Sequence, residues 1–82
     1  MYEKELNIPT GNILKQTKIE SKQKKSEDID TTWYDEIDID GNIISKYIVK
    51  DATSIYPPYK RYVEYEKKDL WGTLLEDKRL SI

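Results

Sequence analysis

The sequence contains no cysteine and no histidine. The absence of cysteine excludes disulfides, thiolate metal sites and cysteine nucleophiles. The absence of histidine removes the commonest general base and the commonest metal ligand. The chain has 82 residues, of which 37% are hydrophobic. A core of that size suits a thin sheet with something laid across one face better than a walled active site.

Motifs that position catalytic groups are also missing. The sequence has no glycine-rich phosphate loop, no Ser-x-x-Lys pair and no nucleophile elbow. Its acidic residues stand in mutually repelling runs, whereas a pair of catalytic carboxylates needs one acid to be desolvated. We therefore expect a protein that is not an enzyme and that uses no cofactor.

Long apolar runs are absent as well. No window approaches the roughly eighteen consecutive apolar residues of a membrane span. The segment Met1–Leu6 lacks the basic start and apolar run of a secretory signal. We expect one small cytoplasmic domain over residues 1–82, with no membrane partner.

Glu36 to Tyr47 has some features of a calcium loop. If Gly41 is placed at the obligatory glycine, the final position, which must supply a bidentate carboxylate, holds Tyr47. Both flanks are strand-like, whereas a calcium loop of this kind lies between helices. We therefore expect no metal site.

The net charge of −2 conceals an uneven distribution. Residues 15–25 carry five lysines and one glutamate, residues 27–40 carry seven carboxylates and no base, and residues 46–68 carry six bases and three acids. The total gives no overall bias toward nucleic acid. The acidic stretch is either a solvated face or a docking surface for a basic partner.

The strongest structural pattern lies at the centre of the chain. Residues 32–39 alternate, with Trp33, Ile37 and Ile39 on one face. Asp40-Gly41-Asn42 tolerates the positive φ that a tight turn requires, and residues 43–51 are rich in β-branched and aromatic types. The pattern predicts a hairpin of residues 32–39 and 43–51.

A third strand is predicted after a break. Pro57 and Pro58 cannot donate to a strand ladder, and the flanking Tyr56 and Tyr59 would pack on the sheet or along its rim. Residues 59–67 alternate again, with Tyr59, Val63 and Tyr65 on one face. An antiparallel return makes a meander.

The N-terminal third gives weaker signals. Leu6 and Ile8 alternate, residues 9–12 form a turn cluster, and Ile13 to Ile19 alternate afterwards. A first hairpin is preferred, and a helix over residues 12–25 is the alternative. Residues 20–30 are charged and nearly free of apolar side chains, which predicts an exposed, mobile connection.

The C-terminal segment predicts a covering element. Asp69 suits a helix N-cap, and Leu70, Trp71, Leu74 and Leu75 would share a helical face. The fold class expected is mainly β, with α+β possible. It is an antiparallel meander of three to five strands built from hairpins, with a short C-terminal helix or tail packed on one face.

The function expected is that of a small protein-binding module, such as an acidic inhibitor or a neutralising partner of the immunity or phage-encoded kind. Its partner would be another protein with a basic surface. A homodimer through an exposed edge strand is a further possibility. The predicted acidic docking surface consists of Asp35, Glu36, Asp38 and Asp40.

The alternative is a nucleic-acid-binding sheet that uses the last predicted strand. Rings and positive charge alternate there, as on sheet surfaces that stack bases. The residues concerned are Lys60, Arg61, Tyr62 and Lys67. Glu64 and Glu66 share the side of Tyr62 and would repel phosphates, so this alternative ranks below protein binding.

Overall fold

The fold is one antiparallel sheet, seen in a computed structural model that describes residues 2–80. Five strands follow one another in the order β1-β2-β3-β4-β5. They are β1 (Ile13–Lys24), β2 (Glu27–Ile37), β3 (Ile43–Ser54), β4 (Arg61–Lys68) and β5 (Leu74–Leu80). The predicted meander is confirmed. Its central hairpin is β2–β3, and its third predicted strand is β4.

The predicted C-terminal helix is wrong, because residues 74–80 form the fifth strand. Gly72 has a φ of 87°, which a right-handed helix cannot contain. The Asp69 carboxylate does accept hydrogen bonds from nearby amides, but it caps a turn rather than a helix. The capping aspartate and the apolar residues that fit a helix in the sequence therefore belong to the β4–β5 hairpin.

The N-terminal segment, residues 2–12, begins with a single helical turn rather than a strand. The Leu6 amide donates to the Tyr2 carbonyl at 2.9 Å. Asn7 then adopts a left-handed φ of 56°, and the Ile8 amide donates back to the Glu3 carbonyl at 2.8 Å. These bonds form a Schellman motif. The first strand of the predicted N-terminal hairpin is therefore wrong, whereas residues 13–24 are a strand, as preferred over a helix.

Residues 20–30 are the end of the β1–β2 hairpin rather than an irregular connection. Most of their side chains are exposed. A two-residue turn, Lys25-Ser26, joins the strands, and Lys25 has a left-handed φ of 57°. The high charge of this segment therefore reflects side chains that are exposed to solvent. Its backbone is nevertheless paired across the hairpin.

The N-terminal segment covers one side of the sheet, which we call the covered face. Side chains alternate between the two faces of a strand, so each strand contributes every second residue to this side. The core cluster on this face comprises Leu6, Leu14, Tyr34, Tyr47, Val49, Val63 and Tyr65. The opposite side, the open face, carries the half-buried Trp33 and Ile48 among charged side chains.

A bulge in β1 changes which side chains share a face. The pairing passes from Gln16 opposite Tyr34 to Lys18 opposite Trp33, which leaves Thr17 without a partner. Ile19 therefore lies on the covered-face side, whereas strict alternation from Ile13 predicts the other side. The same shift places Lys18 on the open face.

Candidate protein-binding surface

The β2–β3 turn is held by an aspartate and a glycine. Gly41 has a φ of 85°, and its amide donates to the Asp38 carbonyl at 3.0 Å. Asp38 Oδ1 accepts from the amides of Asp40 and Asn42, both at 2.9 Å. Carboxylate caps of this kind satisfy turn amides that have no strand partner.

The β4–β5 turn repeats this arrangement 31 positions later in the chain. Gly72 has a φ of 87°, and its amide donates to the Asp69 carbonyl at 3.2 Å. Asp69 Oδ1 accepts from the amides of Trp71 and Thr73, both at 2.9 Å. The two hairpins therefore have the same turn, built from an aspartate and a glycine three residues apart.

Both returning strands also begin with a bulge. The pairing moves from Ile37 opposite Ile43 to Glu36 opposite Ser45, which leaves Ile44 as the extra residue. In the last hairpin the extra residue is Leu75. Ile44 is 44% exposed and Leu75 is 52% exposed, so both bulges present an apolar side chain to solvent.

Exposed apolar side chains are concentrated at one end of the sheet, which we call the turn end. It consists of the first residues of β1, β3 and β5 and the turns at residues 38–42 and 69–73. Eight of the eleven large hydrophobic side chains exposed among residues 2–80 lie there, and Ile39 and Trp71 are 81% and 87% exposed. The eight are Ile13, Ile39, Ile43, Ile44, Leu70, Trp71, Leu74 and Leu75.

Two strand spacings separate the centres of the two turns, a distance of about 10 Å. Side chains from both turns can therefore contact the same partner surface. Carboxylates accompany them, because Asp38, Asp40 and Asp69 all belong to these turns. The turn end thus combines projecting apolar groups with negative charge.

The structure distributes the four predicted acidic residues over three places. Asp35 lies on the open face, where its carboxylate is 3.4 Å from the Lys46 ammonium. Glu36 is on the covered face and only 3% exposed. Asp38 and Asp40 are together in the β2–β3 turn. Neighbouring strand residues point to opposite faces, so a run of acids in sequence does not form one surface.

Glu36 joins the N-terminal segment to the sheet. Its Oε1 accepts a hydrogen bond from Ser45 Oγ at 2.6 Å, and its Oε2 accepts one from Asn12 Nδ2 at 2.8 Å. No buried side-chain polar atom in residues 2–80 lacks a partner. The buried carboxylate therefore has a structural explanation, since it is satisfied from both sides.

A groove of about 740 Å³ lies on the covered face between the N-terminal segment and β5. The polar groups at its floor include the carboxyl of Glu36, the hydroxyl of Ser45 and the ring of Tyr47. Burial, with Glu36 and Glu76 nearby, raises the pKa of Tyr47 well above the usual range. Its hydroxyl thus stays protonated and can donate a hydrogen bond, but it is a poor proton acceptor. Sequence reasoning missed this groove because it placed a strand where the helical turn lies.

The four predicted nucleic-acid contacts do not share a surface either. Lys60 lies in the loop before β4, and Tyr62 lies on the open face. Arg61 forms a bidentate pair with Asp51, at 2.9 and 2.6 Å. The Lys67 ammonium lies over a buried tyrosine ring on the covered face, 5.7 Å from its centroid. Alternation places Tyr62 on the opposite face from Arg61 and Lys67, and those two lie near opposite ends of β4.

The turn end was not predicted from the sequence. The sequence pattern places Ile39 on a strand face, and Leu70 and Trp71 on a helix. A usable signal existed, because Asp38 and Gly41 have the same spacing as Asp69 and Gly72. An apolar residue follows each aspartate, so the repeated spacing predicts two similar turns with projecting apolar side chains.

Residues 2–80 contain no group of three or more acidic side chains arranged to hold a metal ion. Within the same residues there is no helix that is long and apolar enough to cross a membrane. Comparison with the models of known protein families, with curated proteins and with solved structures gives no match.

Proposed function

We propose that this protein is a protein-binding module that docks through its turn end. The observation that supports the proposal is the pair of matching turns, which project Ile39, Leu70 and Trp71 from one end of the sheet. An exposed apolar cluster on a small protein is typical of an interaction site. Tryptophan in particular is enriched among the residues that dominate binding energy.

The partner is a different protein whose surface is apolar at the centre and basic at the rim. A symmetric contact between two turn ends would bring Asp38, Asp40 and Asp69 against the same residues of a second copy, and like charges repel. A basic rim would instead attract them. Of the four acidic residues that the sequence predicts to form the docking surface, only Asp38 and Asp40 belong to the surface proposed here.

Pairing of edge strands between two copies is less favourable, because both edges carry features that oppose it. β1 has the Thr17 bulge and several lysines along its length. β5 has the Leu75 bulge, followed by four consecutive charged residues. Bulges and charges of this kind protect natural sheet edges from pairing.

The experiment is photo-crosslinking from the turn end. A photoreactive amino acid replaces the exposed Asn42 in the β2–β3 turn, so that Ile39 and Trp71 are both kept. The full chain is exposed to extract of the cells that produce it, and the crosslinked protein is identified and purified. Its affinity is then measured for the wild type and for the double variant Ile39→Ser/Trp71→Ser. We expect the variant to bind at least about tenfold more weakly, a loss of about 1.4 kcal/mol.

The matched control is Tyr56→Ser/Tyr59→Ser. Tyr56 and Tyr59 are 62% and 60% exposed, but they lie in the β3–β4 loop at the opposite end of the sheet. Their replacement should leave the affinity within about twofold, which is under 0.5 kcal/mol. Equal weakening by both variants, or crosslinking only to a second copy of this chain, would overturn the proposal.

A further inference from the structure

The first three strands separate charge between the two faces of the sheet. The strand register places six lysines and three carboxylates of β1, β2 and β3 on the open face, a net charge of +3. The lysines are Lys15, Lys18, Lys22, Lys24, Lys46 and Lys50. On the covered face the same strands carry four carboxylates and no base. A near-neutral chain therefore has a basic half-face.

Four of these lysines form a row along β1. The Thr17 bulge brings Lys18 onto the same face as Lys15, and Lys22 and Lys24 continue the row. Alternate residues of a strand are about 6.6 Å apart, so the row extends over roughly 30 Å. This spacing resembles that of successive phosphates in an extended single strand. Only Glu20 interrupts the row, and it pairs with Lys22 at 3.1 Å.

An apolar floor lies beside the lysine row. A trough of about 370 Å³ on the open face is lined by the apolar side chains of Trp33, Ile29 and Ile48. Three lysines and two carboxylates surround them, namely Lys22, Lys24, Lys50, Glu20 and Glu66, so positive charge exceeds negative charge around the trough. The Lys18 ammonium lies 4.7 Å from the centroid of the Trp33 ring. An aromatic ring next to a row of cations is the combination that binds single-stranded nucleic acid.

We propose that the open face of β1–β3 binds single-stranded nucleic acid. The phosphates lie along the lysines of β1, and bases contact Trp33 and the neighbouring isoleucines. A duplex is less suitable, because its bases are stacked on each other and cannot reach the ring. The ion pair between Lys22 and Glu20 is exposed on both sides and therefore weak, so a phosphate can displace it. The carboxylate that pairs with Lys46 is mostly buried, so the proposed contacts rest on the lysines of β1.

The site is distinct from the turn end and from the residues predicted in β4. Glu64 and Glu66 lie on the open face of β4, and Asp77 lies beside them on β5. They outnumber the two cations on the open face of these strands, Lys68 and Arg79, and the Arg79 guanidinium lies over the Tyr62 ring, 4.7 Å from its centroid. The net negative charge disfavours phosphates there and limits the site to the first three strands. The proposal therefore depends on the lysines of β1, whereas the sequence-based alternative depended on Lys60, Arg61, Tyr62 and Lys67.

The test is fluorescence anisotropy with a labelled oligouridine at low salt. Lys22→Glu/Lys24→Glu should weaken binding at least about tenfold and lower the dependence of log K on log salt by about 1.4, which is about 0.7 for each lost phosphate contact. Lys60→Glu/Lys67→Glu makes the same charge change elsewhere and should leave the affinity within about threefold. A larger loss in this control than in the β1 variant would overturn the assignment to the open face.

The second readout is the fluorescence of Trp33. Trp71→Phe leaves Trp33 as the only tryptophan, so oligouridine should quench the remaining emission in proportion to binding. Polyglutamate of similar length is the control that distinguishes binding of nucleic acid from binding of an acidic protein. It should bind more weakly than oligouridine. Equal binding of polyglutamate, or no anisotropy change at protein concentrations of about 100 µM, would contradict the proposal.

Discussion

The covered face and the turn end use the same kinds of apolar side chain for opposite purposes. On the covered face, Leu6 is 6% exposed and Val63 is 1% exposed. At the turn end, Ile39 is 81% exposed and Trp71 is 87% exposed. The difference is that the N-terminal segment packs over the covered face, whereas the aspartate-capped turns hold the side chains of the turn end away from the sheet. Apolar residues therefore stabilise the first region and stay exposed to solvent in the second.

The largest expected effect concerns the N-terminal segment. Leu6→Ala removes a buried side chain that joins this segment to the core and should lower the free energy of unfolding by about 3 kcal/mol. Urea denaturation followed by circular dichroism measures the change. A loss below about 0.5 kcal/mol, typical of surface positions, would mean that the segment does not cover the sheet.

The second effect concerns Glu36. Glu36→Ala leaves the Ser45 hydroxyl and the Asn12 amide without their acceptor and should lower the free energy of unfolding by about 2 kcal/mol. Glu36→Gln keeps the shape and one acceptor oxygen, so its loss should be about 1 kcal/mol. Equal stability of wild type and Glu36→Ala in thermal denaturation would show that the carboxylate does not join the segment to the sheet.

The third effect depends on alkaline pH. Burial raises the pKa of Tyr47 above that of a tyrosine in the unfolded chain, so above about pH 10 the unfolded state releases a proton that the folded state retains. Stability is then fully present below pH 10 and declines as the pH rises further. Tyr47→Phe should reduce this decline, and Tyr56→Phe is the matched control. Parallel pH profiles for wild type and Tyr47→Phe would contradict the burial of this hydroxyl.

The next effect tests the similarity of the two turns. Gly41 and Gly72 have φ of 85° and 87°, and a methyl group at either position would meet no atom within 4 Å. Alanine therefore costs only backbone strain, about 1 kcal/mol, and the cost should be the same at both sites. Denaturation of Gly41→Ala and Gly72→Ala would contradict the match if the two losses differed by more than about 1 kcal/mol.

Period-two patterns were sufficient to predict most of the sheet. The central hairpin follows from alternation on both sides of Gly41, and β4 follows from Val63 and Tyr65 on one face. β5 was missed because Leu70, Trp71, Leu74 and Leu75 fit a helical face as well as they fit a turn and a bulged strand. Local spacing does not separate these possibilities, whereas pairing with β4 does.

The candidate sites were harder to predict because they depend on features that have weak sequence signals. The bulge at Thr17 reassigns the face of Lys18, and nothing in the local pattern marks it. The acidic run was visible, but alternation divides Asp35 from Glu36. A continuous run of acidic residues in the sequence therefore suggested one acidic surface, but in the strand neighbouring side chains point to opposite faces.

The most direct measurement is the free energy of unfolding of Ile39→Ser/Trp71→Ser, compared with Leu6→Ala in the same urea titration. Because both turn-end side chains project into solvent, we expect the double variant to match the wild type within about 0.5 kcal/mol. The Leu6 variant should be far less stable. A loss of about 2 kcal/mol or more in the double variant would place these side chains in the core and remove the free apolar surface on which the proposed docking depends.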